Sequence, residues 1–264
     1  MSVDIEEGTL FSNMPLVLYE SIFETGTVTW SSQDTDGFAL NAIEDTTFDF
    51  WTPTAVPAWV AVDYGSAVRC DCAGIASHTV GSVGATVEVQ SSTDNSVWTT
   101  QATVSPTDDA TILTVFPSVS ARYWRIYVTG DIPSVGVIKL GERLIFPSGV
   151  LSGHVGINHA NNIELLTNMS MGGQYLGNRV NRVGASTNID FGLIETDFVD
   201  NDMTEFEAHY NSGRTFFFAS SPLGYPEDYG YCWRSSSDNE LRPSYDEGGE
   251  LMTLSMGVSV YVEQ

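Results

Sequence analysis

At 264 residues the chain has room for one large domain or two of ordinary size. It is 42% hydrophobic and carries 13 Phe, 11 Tyr and 6 Trp, enough to fill cores, while 34 acidic residues against 10 basic ones give a formal charge of −24. A surface that acidic repels phosphate backbones and anionic membranes, which excludes nucleic-acid binding through a basic face and disfavours membrane attachment.

Residues 1–13 read as a polar, acidic arm. They lack a cationic segment followed by an apolar run, so no secretory signal is expected. No stretch approaches the ~20 apolar residues that cross a bilayer. Cys70, Cys72 and Cys232 are too few for a disulfide framework. On a regular strand Cys70 and Cys72 point to one face, and no second pair or histidine cluster completes a metal site, so buried thiols in a reducing compartment are expected.

The first apolar run, Leu16-Val17-Leu18-Tyr19, reads as a strand. Loose alternation through Ile22, Phe23, Val28 and Trp30 then ends in the turn-rich residues 31–37. Three stretches show period-two alternation bounded by turns: Pro57 to Gly65, Val87 to Trp98, and Ala121 to Val128. Their spacing suits a β-sandwich. Trp59, Trp98 and Trp124 sit on strand positions and are expected in the core, and residues 78–84 read as a loop at one end of the sandwich.

Pro147-Ser148-Gly149 marks a domain boundary. Beyond it, residues 188–194 alternate like a strand. Phe198, Met203, Phe206 and Tyr210 fall at helical spacing, which predicts one short helix over 200–211, capped by Asp200 or Asp202 and stopped by Gly213. Strands are expected at 215–219, 229–233 and 251–262, with a loop at 222–228. The predicted fold is mainly β: an arm at 1–13, a jelly-roll β-sandwich at 14–147, and a second β-rich domain with one short helix at 148–264.

Three segments carry a resemblance: Pro57-Ala58-Trp59-Val60-Ala61-Val62-Asp63-Tyr64-Gly65, Val87-Glu88-Val89-Gln90-Ser91-Ser92-Thr93-Asp94-Asn95-Ser96-Val97-Trp98, and Ala121-Arg122-Tyr123-Trp124-Arg125-Ile126. In this order they resemble the discoidin, or coagulation-factor C-type, jelly roll of the galactose-binding-like superfamily, over residues 16–146. The resemblance implies a surface-binding module. It also implies a structural calcium held by a loop aspartate and a glutamate of the last strand, positions matched here by Asp45 and Glu142. Calcium takes six to eight hard oxygens, and a carbonyl-rich loop with two carboxylates supplies them. In the alternative, Asp45 caps a turn and Glu142 is merely exposed. Carbohydrate-binding relatives place His, Arg and an aromatic on end loops, which singles out His78 and Arg122 as ligand-binding candidates, with Trp51 or Trp30 as stacking platform.

In the second half, the succession Gly172-Gly173-Gln174, Gly177-Asn178-Arg179, Gly213-Arg214-Thr215-Phe216-Phe217-Phe218 and Tyr229-Gly230-Tyr231-Cys232-Trp233 resembles minor structural proteins of tailed-phage tail modules. That resemblance implies a virion component at the tail tip, baseplate or neck, assembled in the host cytoplasm as a homo-oligomeric ring. Its partners would be other virion proteins and a host-surface glycan, with no nucleic acid and no membrane insertion. The competing expectation is a bacterial carbohydrate-binding module of a secreted or cell-surface system. The four histidines fall in no catalytic motif, no G-x-S-x-G or Walker loop occurs, and no enzyme is expected; no cofactor is required beyond the possible calcium.

Overall fold

The computed structural model describes residues 2–9, 13–235, 240–246 and 250–263, with Arg182 placed by its backbone alone. Met1 and residues 10–12 of the expected arm lie outside these. The first half forms β1 (Asp4–Ile5), β2 (Leu16–Leu18), β3 (Thr27–Trp30), β4 (Ala58–His78), β5 (Thr86–Ser92), β6 (Thr99–Val104), β7 (Ile112–Thr129), β8 (Val135–Gly141) and β9 (Leu144–Ile145). The second forms β10 (Asn161–Met169), β11 (Tyr175–Glu195), β12 (Phe216–Ala219), β13 (Tyr229–Arg234), β14 (Ser244–Tyr245) and β15 (Leu251–Val260). Two single-turn helices, α1 (Ile22–Thr25) and α2 (Val80–Val83), precede the eight-residue α3 (Thr204–Asn211). The chain is thus mainly β, as its alternation predicts.

Among the described residues the strands make two sheets. The first runs β3-β4-β7-β5-β6, with β8 added to β4 and β1 to β7. Its long strands β4 and β7 break register between Asp63 and Val68, where Gly65 takes a left-handed φ of 84°. That irregularity bends the sheet. The halves of β4 before and after the bend both feed one core: Val60 and Val62 pack with Cys70, Ala73, Ile75, Phe116, Trp124 and Ile126. One sheet folded across its own core makes the sandwich.

The second sheet runs β10-β11-β15-β13-β12-β2-β9, with β14 on β15. It contains strands from both halves of the sequence. β2 pairs Val17 with Phe218 of β12 and with Leu144 of β9, so residues on either side of the jelly roll enter the distal sheet. Where the two sheets face each other, Leu16, Leu18, Phe217, Ala219 and Tyr231 meet Cys72, Ala76, Leu113, Val115 and Val137. The later half of β4 and all of β8 are therefore covered on both faces, and residues 70–78 and 135–141 are buried without alternation. Gly74 is one reason the layers fit: a Cβ there would stand 2.6 Å from the Phe217 ring. Hydrogen bonds add to the seam, from Tyr229 Oη to the Thr111 carbonyl (2.6 Å) and from Tyr231 Oη to the Asp45 carbonyl (2.9 Å).

Two local expectations change. Cys70 packs into the sandwich core with Ala73 and Ile75, and Cys72 into the seam between sheets with Ala76, because the alternation of β4 itself breaks where its pairing with β7 is irregular. The helical stretch starts earlier than expected, with a wide turn at Phe198–Asp202 leading through Met203 into α3. Neither segment has a side-chain cap, and Asp200 contributes a carbonyl to the Thr204 hydroxyl rather than a carboxylate cap. α3 buries Phe206, His209 and Tyr210 on the outer face of the second sheet, and the Tyr210 hydroxyl donates to the Gly257 carbonyl at 2.8 Å.

Candidate functional site

Of the three ligand candidates read from the sequence, Trp51 and His78 flank Val135 of β8, while Arg122 lies apart at the bend of β4 and β7. Trp51 is fully buried, and its indole N–H donates to the Ser32 carbonyl at 2.9 Å. A ring with no exposed face cannot stack on a ligand. His78 is buried too, with Nε2 3.0 Å from the Ala110 carbonyl oxygen and Nδ1 accepting from the Val80 amide at 3.2 Å. Burial holds it below the ordinary imidazole value, so it is a neutral internal bracket. Arg122 is exposed but clamps Asp63 through two bonds of 2.7 and 2.8 Å, fastening β7 to the bend of β4. Trp30, the other platform candidate, is half-buried against the sandwich core.

The calcium expectation for Asp45 and Glu142 does not fit this arrangement. Asp45 Oδ1 is 2.7 Å from the Lys139 ammonium, which also lies 3.2 Å from Glu24 Oε1 and is itself buried. Arg214, from the second half, pairs with Glu24 and lies 3.9 Å from Asp45 Oδ2. Burial alone would raise the Asp45 pKa, but the Lys139 charge and the hydrogen bonds from Lys139 and Thr215 outweigh it and hold the carboxyl below its usual range. An organic cation thus sits on the carboxylate that a metal would need. Glu142 is exposed and 3.7 Å from Arg69. Among the described residues no three His, Cys, Asp or Glu side chains gather around one point.

The open chemistry lies elsewhere, on the outer face of the first sheet. Pairing puts Trp59 opposite Tyr127 and Tyr127 opposite Glu88; in the next row Arg125 stands between Ala61 and Gln90, with Thr100 beyond. Arg125 Cζ lies 4.1 Å from the Trp98 ring centre and 4.7 Å from that of Tyr127, a guanidinium stacked between two aromatic rings. Its Nε–H donates to Gln90 Oε1 at 2.7 Å, and Gln90 Nε2 donates to Glu88 Oε2 at 2.7 Å. Thr100 donates to the same carboxylate at 2.8 Å. Gln90 is buried within the relay, which fixes two partly open polar heads, Arg125 and Glu88, beside half-exposed Trp59, Trp98 and Tyr127. Only Trp124 of the three expected core tryptophans is internal. Alternation groups residues by face without saying which face is covered, so Trp59 and Trp98 were not readable as surface.

A second concavity, of about 820 Å³, lies against the second sheet and is lined by Leu151, His154, His159, Tyr225 and Asp228 among others. Asp228 is buried and accepts from the Ile157 amide at 2.5 Å; the Ser220 hydroxyl and His154 Nε2 (3.1 Å) share its Oδ2. The hydrogen bond to Asp228 raises His154 above its ordinary value. Burial would raise the Asp228 carboxyl, but bonds from His154, Ser220 and Ile157 bring it below the usual range. The serine and imidazole meet on one carboxylate oxygen rather than on each other, so this trio is not the relay in which an imidazole takes a serine proton.

The geometry thus defines a jelly-roll β-sandwich with a polar-aromatic outer face. Residues 27–140 match the family model described as F5/8 type C domain, so the N-terminal part of the chain is an F5/8 type C, or discoidin, domain. Among solved structures, the chain is similar to chitosan-binding module 1 of a chitosanase/glucanase from Paenibacillus sp. IK-5 (20% identity, 46% of this chain and 98% of that one, TM-score 0.40). It is also similar to CpGH89CBM32-5 from Clostridium perfringens, solved with GalNAc-β-1,3-galactose (14% identity, 47% and 99%, TM-score 0.40). A third is a pectin-binding carbohydrate-binding module (17% identity, 43% and 88%, TM-score 0.38). No curated protein matches the chain.

Proposed function

We propose that the chain is a non-catalytic glycan-binding protein whose F5/8 type C domain lays the outer face of its first sheet on a carbohydrate. The observation that carries this reading is the half-exposed group Trp59, Tyr127 and Trp98 around the Arg125–Gln90–Glu88 relay. Sugar rings stack their C–H faces on aromatics, and their hydroxyls meet fixed guanidinium and carboxylate groups. The formal charge of −24 disfavours sulfated or uronic chains, so the preferred ligands are neutral or amino sugars. A glycan array followed by calorimetry tests this. Binding to neutral or amino glycans, weakened at least tenfold by Trp98→Ala or Trp59→Ala, is the expected result. No binding, or affinity indifferent to both changes, would remove the face as the site.

A second reading, a tailed-phage virion component carrying this domain outward, rests on the resemblance of residues 172–179, 213–218 and 229–233 to tail-module proteins. Gold-labelled antibody against the chain should decorate the tails of purified virions; unlabelled tails count against it.

A further inference from the structure

β10 and the first part of β11 leave the body as a hairpin. Pairing sets Asn161 opposite Ala185, Ile163 opposite Val183, Leu165 opposite Val180 and Met169 opposite Tyr175. Both register shifts place their extra residue on β11, so β10 alternates without interruption and residues 161, 163, 165, 167 and 169 share one face. Ala185, on that face, is buried in the core of the second half. The row Ile163/Val183, Leu165/Val180 and Met169/Tyr175 is therefore the core face of the second sheet carried outward beyond its cover. All six side chains are at least 49% exposed. The opposite face of β10 shows Asn162, Glu164, Leu166 and Asn168 and is mostly polar.

We propose that this ribbon, residues 161–183, is a self-association surface on which a second copy of the chain lays the same apolar face. Three observations select that occupant. At exposures of 49–65% the six residues together leave on the order of 700 Å² open, on the scale of the ~800 Å² per partner of a specific interface. An apolar row with one polar pair, Thr167/Asn178, near its outer end is self-complementary, as a two-fold contact requires. Residues 161–183 hold Glu164, Arg179 and Arg182, a formal +1 in a chain of −24, so two strongly acidic copies can approach here without stacking carboxylates. A two-stranded hairpin alone is marginally stable in water, and pairing supplies the missing cover. β10 is also the terminal strand of its sheet, so its outer edge is open to a neighbour.

Sedimentation velocity of the full chain at physiological salt, from low to high micromolar concentration, tests this surface. The wild type is expected to form a dimer, and Leu165→Glu with Val180→Glu a monomer. The far-UV circular dichroism of that variant should show the body of the chain still folded, because both positions are exposed, with any loss of strand signal or melting temperature limited to what pairing contributes to the ribbon. Leu166→Glu, on the polar face, should leave the dimer intact. A wild-type monomer across the range, a species larger than the dimer, or a dimer indifferent to the double substitution overturns the proposal. So does equal disruption by Leu166→Glu.

Discussion

Lys139 places its ammonium 2.7 Å from Asp45 Oδ1, a pair that joins the last long strand of the jelly roll to the loop before β4. Glu24 and Arg214 complete it, and Arg214 comes from the other half of the chain. A lysine held by two carboxylates does for this loop what a divalent ion does elsewhere, neutralising converging oxygens with a cation fixed in the sequence.

Removing that cation leaves the exposed Arg214 alone to neutralise Glu24 and Asp45. Lys139→Met should cost about 2–3 kcal/mol in urea unfolding, below the ~3–5 kcal/mol of a fully buried pair because both carboxylates keep some solvent contact. The melting temperature of the wild type should be the same in EDTA as in calcium. A calcium-dependent rise would show that the loop takes an ion despite the lysine.

The pair His154–Asp228 makes stability depend on pH in two directions. His154 is raised in the folded state, so its contribution is complete below the ordinary imidazole value and is lost as pH climbs through the raised one. Asp228 is depressed, so its contribution is present above the ordinary carboxylate value and is lost as pH falls through the lowered one. Relative to His154→Gln, the wild type should gain most between the ordinary carboxylate and imidazole values and lose that advantage as pH climbs through the raised value of His154. Thermal melts of both proteins at stepped pH give the difference directly. Parallel curves would mean that the imidazole contributes nothing through its charge.

Gly74 and Phe217 set the spacing between the sheets. A methyl at Gly74 must displace a ring that has no exposed surface, and overpacking of this kind costs about 1–3 kcal/mol. Gly74→Ala should lower the urea midpoint accordingly. Adding Phe217→Leu should recover part of the loss, a non-additivity expected of residues in contact.

Much of the fold was legible because alternation is a local property. The stretches around Trp59 and Trp124 read as strands and form β4 and β7. What failed depends on residues far apart in sequence. Asp45 stands where the resemblance puts a metal ligand, but its cation comes from Lys139, 94 positions later. His78 and Trp51 lie in polar, loop-like stretches, yet the fold closes over both. The faces of Cys70 and Cys72 turn on a break in the alternation of β4 that spacing does not record. The ribbon escaped for a related reason: Ile163, Leu165, Val180 and Val183 form a coherent row only when β10 and β11 are paired with their irregular register.

The insertion of β2 and β9 beside β12 has a consequence for how this protein could be rearranged. Discoidin-type regions are attractive as portable cassettes, with ends that can be cut and rejoined. Here the segments entering and leaving the cassette are rungs of the neighbouring ladder. Excising residues 14–147 would uncover Phe217 and Phe218 and strip β12 of one neighbour. The two halves thereby share one ladder, and a single cooperative melting transition is expected of the full chain.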